Sequence, residues 1–345
     1  MGLRSISLAA GASAIALAGA LLAGPAAAAD QVTLRMHTHV PPVAQSFKNL
    51  VTWTKMVEKS SGGALKIQLF GSNQLGGKAE DVFDQVKNGV VDIGWTLPGY
   101  KAGLFPGVTV FELPFIGATA DIASPAVDAF VRKYGKDFQD VHVIVVHSAG
   151  ESVIHMKGGP IRRIEDFKGK KIRTPSRISS AALTALGATP VPIPGLKMTE
   201  ALMRNVVDGA VTPWSIARAI RTVDVVESHT LTLLHGPVLA MLMNKQSYAK
   251  LPAAAKKAID SNSGEGVAKM FGKMWVRDDI PGRKKAEELK HTIVEVSAEE
   301  EARWRKATQP VYDDWVKTMN AKGFPAAQMV KDAEALIAKY KAEAK

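Results

Sequence analysis

Two stretches far apart in this chain follow the same course. Lys87-Asn-Gly-Val-Val-Asp-Ile-Gly-Trp95 and Arg204-Asn-Val-Val-Asp-Gly-Ala-Val-Thr-Pro-Trp214 each run from a helix end through Val-Val-Asp into a β-rich segment and reach a tryptophan. Each closes a series of alternating segments. In the first series Val32–His39 alternates with period two, Val43–Lys59 reads as a helix, Leu65–Phe70 as a strand, Lys78–Asn88 as a helix and Val90–Trp95 as a strand. Val141–His147, apolar almost throughout, reads as a strand buried on both faces. The pattern then restarts, with strands expected at Val153–Met156, Lys171–Thr174, Thr189–Ile193 and Val207–Thr212 and helices at Ser179–Leu186 and Met198–Asn205. Strand, helix, strand demands crossover connections and a largely parallel sheet, so the expected class is α/β with two lobes. The apolar run from His229 to Asn244 is expected to cross back to the first lobe. Helices follow at Lys250–Lys290 with a break at Pro281, at Ala298–Asn320 and from Ala326 onward.

A length of 345 residues suits two packed lobes, and 46% hydrophobic with 22% charged residues excludes a disordered or multi-span membrane chain. The absence of cysteine excludes a disulfide scaffold, a cysteine zinc site, an iron–sulfur cluster and a thiol nucleophile. The net charge of +11 is dispersed, with short basic clusters only at Lys168–Arg173 and Arg283–Lys285. A nucleic-acid binder concentrates its bases in one stripe with aromatics between them. The dispersed charge is read as that of a protein meeting small anions or an anionic membrane face.

Met1–Ala29 carries the single charged side chain Arg4, an apolar stretch from Ile6 to Gly24, Pro25 and four alanines before Asp30. These are the n-region, h-region and small-residue cleavage site of an export signal, with an uncleaved anchor as the alternative.

Several phrases in fixed order carry a resemblance. Gly71-Ser-Asn-Gln-Leu-Gly76, Gln85-Val-Lys-Asn-Gly-Val-Val-Asp-Ile-Gly94, Glu112-Leu-Pro-Phe-Ile116, Phe167-Lys-Gly-Lys-Lys-Ile-Arg-Thr-Pro175, Val207-Asp-Gly209 and Met243-Asn-Lys245 with Leu251-Pro252 are similar to the substrate-binding proteins of TRAP transporters, the tripartite ATP-independent periplasmic carriers of organic acids. The resemblance covers nearly the whole chain after the leader. It implies a two-lobe periplasmic-binding-protein fold with crossing strands and a long connecting helix, closing over one ligand. The division expected is a signal peptide over residues 1–29, lobe I over 30–150 plus about 240–280, and lobe II over 151–239 plus about 281–345 with the C-terminal helices.

Arg173 is the sharpest candidate site residue. Its planar fork of N–H donors matches a carboxylate bidentately, and its place before Thr174-Pro175 puts it at a strand end, where α/β folds bind ligands. The resemblance implies that it clamps the ligand's carboxylate. By the same resemblance Thr212 stands where many relatives carry a carboxylate-bonding Asn, and His39 where a ligand-contacting polar side chain sits. Ser152 occupies the position at which some relatives place a second Arg, which disfavours a dicarboxylate. Trp95 and Trp214 are expected to flank the ligand with flat apolar surface.

Rival chemistries lack their residues. His37 and His39 share one strand face, but no third zinc ligand at matching spacing accompanies them. Gly150-Glu-Ser152 lacks the closing glycine of an esterase elbow, since Ile154 stands there, and no phosphate-binding glycine loop occurs. The expectation is therefore a periplasmic solute-binding protein for an organic acid anion, a monocarboxylate with an apolar or aromatic body. It is expected to act as a monomer without cofactor, metal, catalytic residues or nucleic acid, and to deliver its ligand to TRAP permease membrane subunits. An exported enzyme using the same cleft and a ligand-presenting sensory protein remain the alternatives.

Overall fold

The computed structural model describes residues 1–2, 31–101 and 103–344. The expected leader lies outside the described residues. Eleven strands are described: β1 (Val32–Thr38), β2 (Leu65–Phe70), β3 (Ile93–Thr96), β4 (His142–Ser148), β5 (Val153–Met156), β6 (Lys171–Thr174), β7 (Thr189–Pro192), β8 (Gly209–Thr212), β9 (Ser228–Leu231), β10 (Val238–Met243) and β11 (Thr292–Glu295). The helices among the described residues are α1 (Gln45–Ser60), α2 (Val82–Lys87), α3 (Ala120–Tyr134), α4 (Arg177–Ala185), α5 (Met198–Met203), α6 (Trp214–Ala219), α7 (Lys245–Ala249), α8 (Ala253–Ser261), α9 (Glu265–Glu288), α10 (Ala298–Ala321) and α11 (Ala326–Glu343).

The strands form two sheets, ordered β2-β1-β3-β10-β4 and β11-β9-β5-β8-β6-β7. In the first, β1 pairs parallel with β2 and β3, while β10 runs antiparallel to both β3 and β4. In the second, β6 pairs parallel with β7 and β8, while β5 runs antiparallel to β8 and β9. Each sheet thus contains an antiparallel strand that the chain delivers from the other. The crossing after His229 predicted from the apolar run is the β9-to-β10 connection. A parallel core with an inserted strand is buried on both faces, and Val238 to Met243 are buried without exception.

The sequence passes over α3 and misplaces a helix break. Pro125 lies inside α3 and Pro281 inside α9, yet both helices continue through them. A proline removes one intrahelical donor, and here packing outweighs that loss: Ala126, Val127, Phe130 and Val131 of α3 sit in the core over the first sheet. The actual interruption precedes α9, where Gly264 adopts φ +73°.

The C-terminal segment does not go wholly with the second sheet, as residues 281–345 were expected to. Met329, Ala333 and Tyr340 of α11 pack in one cluster with Phe130 and Val131 of α3. α10 reaches both lobes: Trp304 packs on Phe167 beside the second sheet, whereas Val311, Trp315 and Met319 join the first-lobe core. α9 spans them likewise, with Phe271 and Trp275 in one core and Ala286 in another beside Trp214.

Candidate ligand site

The carboxyl ends of the parallel strands in the two sheets point at one cavity. His39 follows β1, Trp95 lies near the end of β3, Arg173 near the end of β6 and Thr212 at the end of β8, and all four line it. The β4-to-β5 connection supplies Ser152, β10 supplies Leu239 and α9 supplies Trp275. The cavity has a volume of about 80 Å³.

Local sequence fixes Arg173 at this wall. β6 ends at Thr174 because Pro175 cannot donate to a ladder, and Ser176 then caps α4 by accepting from the Ser179 N–H. The guanidinium is buried, with 3% of its residue exposed. Its Nε donates to the Ile193 carbonyl at 2.7 Å and its Nη1 to the Val211 carbonyl at 3.0 Å. Neutral carbonyls orient the fork but do not balance its charge, and no carboxylate among the described residues pairs with it. Burial holds this guanidinium below its ordinary range, with the adjacent Tyr100 phenol partly offsetting it. Its positive charge stands in a dry wall without a counter-charge among the described residues.

Trp95 makes a flat apolar wall. Its N–H is already donated to His147 Nε2 at 3.0 Å, so only the ring face remains for a ligand. His39 stacks on Trp95 with centroids 6.2 Å apart and meets Tyr100 edge-on at 5.5 Å. Burial lowers its pKa to about 4, which makes it a neutral imidazole. His37, on the same strand, instead bonds Gln85 through Nδ1 at 2.6 Å. Among the described residues no group of three His, Asp or Glu is arranged to hold a metal.

Trp214 does not flank this cavity, contrary to the expectation. It packs against His155 and His229, with centroids 5.0 and 4.5 Å away. Those histidines belong to a chain: His155 Nδ1 meets His229 Nδ1 at 2.7 Å, and His229 Nε2 meets His291 Nδ1 at 3.0 Å. His155 Nε2 lies 3.1 Å from the Thr212 carbonyl, which can only accept, so that nitrogen carries the proton. The aromatic cavity residues that the sequence reading overlooked are Tyr100 and Trp275. Tyr100 follows the strand of Trp95 in Leu97-Pro-Gly-Tyr100, a placement that could have signalled it. Trp275 gave no signal, because one tryptophan in a long helix reads as core.

Over residues 36–318 the chain matches the model of the bacterial extracellular solute-binding proteins, family 7. The chain belongs to that family. This family 7 protein is 35% identical to a TRAP solute-binding protein from Rhodoferax ferrireducens T118, solved with copurified benzoate; the match covers 91% of this chain and 100% of that one, with a TM-score of 0.88. It is 36% identical to a marine metagenome TRAP solute-binding protein specific for aromatic acid ligands, over 90% of this chain and 99% of that one, with a TM-score of 0.87. It is also 23% identical over 340 residues to the C4-dicarboxylate-binding periplasmic protein DctP of Rhodobacter capsulatus, covering 92% and 95% of the two chains. The chain is thus a TRAP solute-binding protein with the two-lobe fold of periplasmic binding proteins.

Proposed function

We propose that this chain captures a monocarboxylate with a single aromatic ring or a branched apolar body, holds its carboxylate at Arg173, and delivers it unchanged to TRAP permease subunits in the membrane. In this reading residues 1–29 direct export and are removed before Asp30, the mature chain works in the periplasm as a monomer, and it is a receptor without enzymatic activity. The observation that carries the reading is the buried Arg173 guanidinium with no carboxylate partner among the described residues, in the wall of a mostly apolar cavity between the sheets.

Arg173 is the only formally charged side chain, neutral His39 aside, among the described residues lining that cavity. One carboxylate is neutralised there and a second would be buried without a partner, at a cost of several kcal/mol. Leu97, Ile216, Leu239 and the two indoles instead reward apolar carbon, at about 25 cal/mol for each Å² removed from water. The benzoate of the Rhodoferax relative and the aromatic acids of the metagenome protein have this chemistry. Competition titrations at fixed pH and salt test the reading: benzoate is expected to bind at least about tenfold more tightly than succinate, malate or fumarate. Tight succinate binding would overturn it.

A further inference from the structure

With the carboxylate assigned to Arg173, two polar side chains of the cavity still hold a buried atom without a partner. His39 is 8% exposed and Ser152 is 1% exposed, and both line the space. Neither His39 Nδ1 nor Ser152 Oγ has a hydrogen-bond partner. Their surroundings do not leave them free to find one elsewhere. The His39 ring is set by its stacking on Trp95 and its edge contact with Tyr100. Ser152 is held in the crossing between β4 and β5, where its backbone N–H donates to the His235 carbonyl at 2.9 Å. The neighbouring Trp95 N–H is committed to His147 and cannot serve either.

A benzene ring alone would cover these atoms and leave them unsatisfied. A second carboxylate would find no second cation among the described residues lining the cavity. A neutral imidazole offers one donor and one acceptor, and a serine hydroxyl offers both as well. The group that complements them is neutral and can donate and accept at once. We propose that His39 and Ser152 form a hydroxyl-recognising subsite, so that the cavity selects monocarboxylates carrying a hydroxyl on their apolar body over the same acids without one. This inference rests on the carboxylate reading of Arg173.

The test compares benzoate with 2-, 3- and 4-hydroxybenzoate by calorimetry on the wild-type chain and on Ser152→Ala, His39→Asn, His39→Phe and the double variant His39→Phe/Ser152→Ala. The quantity read is the ratio of hydroxybenzoate to benzoate affinity within each protein, so a general weakening cancels. The wild type is expected to favour at least one isomer by about tenfold or more, since a buried polar site rejects the analogue lacking its partner. That ratio should fall toward one in the double variant, with the single variants between. Should the double variant not fold, Ser152→Ala and His39→Asn still decide the point through their own ratios. Equal affinity for benzoate and all three isomers in the wild type overturns the proposal, as does a preference that survives every variant. If benzoate binds through Arg173 without any hydroxyl preference, the subsite fails and the carboxylate reading stands; if none of the four acids binds, the subsite fails together with the aromatic form of that reading.

Discussion

Asp92 and Asp208 do the same work in the two lobes. Asp92 accepts the Arg35 N–H through Oδ2 at 2.7 Å while its own N–H donates to the Arg35 carbonyl at 3.0 Å. Asp208 accepts the Lys171 N–H at 2.8 Å and donates to the Lys171 carbonyl at 2.7 Å. The repeated Val-Val-Asp therefore pins a strand to its parallel neighbour, and that part of the repeat was legible. Its tryptophans are not equivalent. Trp95 comes three residues after Asp92, whereas Trp214 comes six after Asp208; the matching position is Val211, which lines the cavity. Pro213 starts α6 between them and turns Trp214 away. The place of Arg173 in the cavity wall was legible for a different reason: it stands just before a strand-ending proline, which is a sequence property. Arg173→Ala should leave the fold intact and weaken benzoate binding by a hundredfold or more, because losing one partner of a buried charge pair costs about 3 to 5 kcal/mol. Arg173→Lys should also lose most of the affinity, since a point charge lacks the bidentate fork. Calorimetry on both variants checks this, and unchanged affinity would remove Arg173 from the site.

At the scale of elements, α9 is confined by close contacts at two places along its length. A Cβ on Gly272 would come 2.4 Å from the Ala120 carbonyl oxygen of α3, and one on Gly282 would come 2.5 Å from the Trp214 carbonyl oxygen of α6. The helix is therefore seated by glycine on each lobe in turn. Between the two seats, Asp278 accepts from Asn49 of α1 at 2.6 Å and Asp279 accepts from the Ser215 N–H of α6 at 2.8 Å. Adjacent carboxylates thus hold opposite lobes. Gly282→Ala should destabilise the protein by about 1 to 3 kcal/mol in urea unfolding, because backbone lies in the way and cannot yield as a side chain end could. Gly266→Ala, on the same helix with open space around it, should instead gain up to about 0.5 kcal/mol. If the two variants behaved alike, close packing would not be what distinguishes the sites. None of this was legible in the sequence. A glycine or proline inside a helical pattern reads as a breaker, and only the approach of another element reveals it as a contact.

For the whole molecule, buried titratable groups set the response to pH. Burial depresses His39, His155 and His235 to about 4, His147 to about 3 and His229 to about 2, all below the unfolded value of 6.5. Each contributes stability that is fully present above pH 6.5 and is lost as pH falls toward its folded value. Burial also raises Glu112 to about 7 and Asp137 and Asp279 to about 6, and these act in the opposite sense, losing stability as pH rises from about 4 to 7. Burial also lowers His37, His142 and His291 and raises Asp128 and Glu151, so in the shared window eight histidines oppose five carboxyls and the melting temperature should fall between pH 6.5 and 4.5. Glu112→Gln should make that fall steeper and should raise stability at pH 8, where the native carboxylate is charged and buried. A melting temperature that rises on acidification would show the histidines to be less dry than their burial implies.

The lobe count and the return crossing were legible because strand patterning survives in short apolar runs. The division of the C-terminal helices was not, since their amphipathic faces do not say which core they meet. The inserted strand β10 has one more consequence, which concerns time. Residues emerge in order, and β3 and β4 lack the strand that joins them until residue 243 has been made. Until then the first sheet is two fragments with bare edges. Under the export proposed above, the strand that joins the sheet arrives late in the thread, at residues 238–243 of 345.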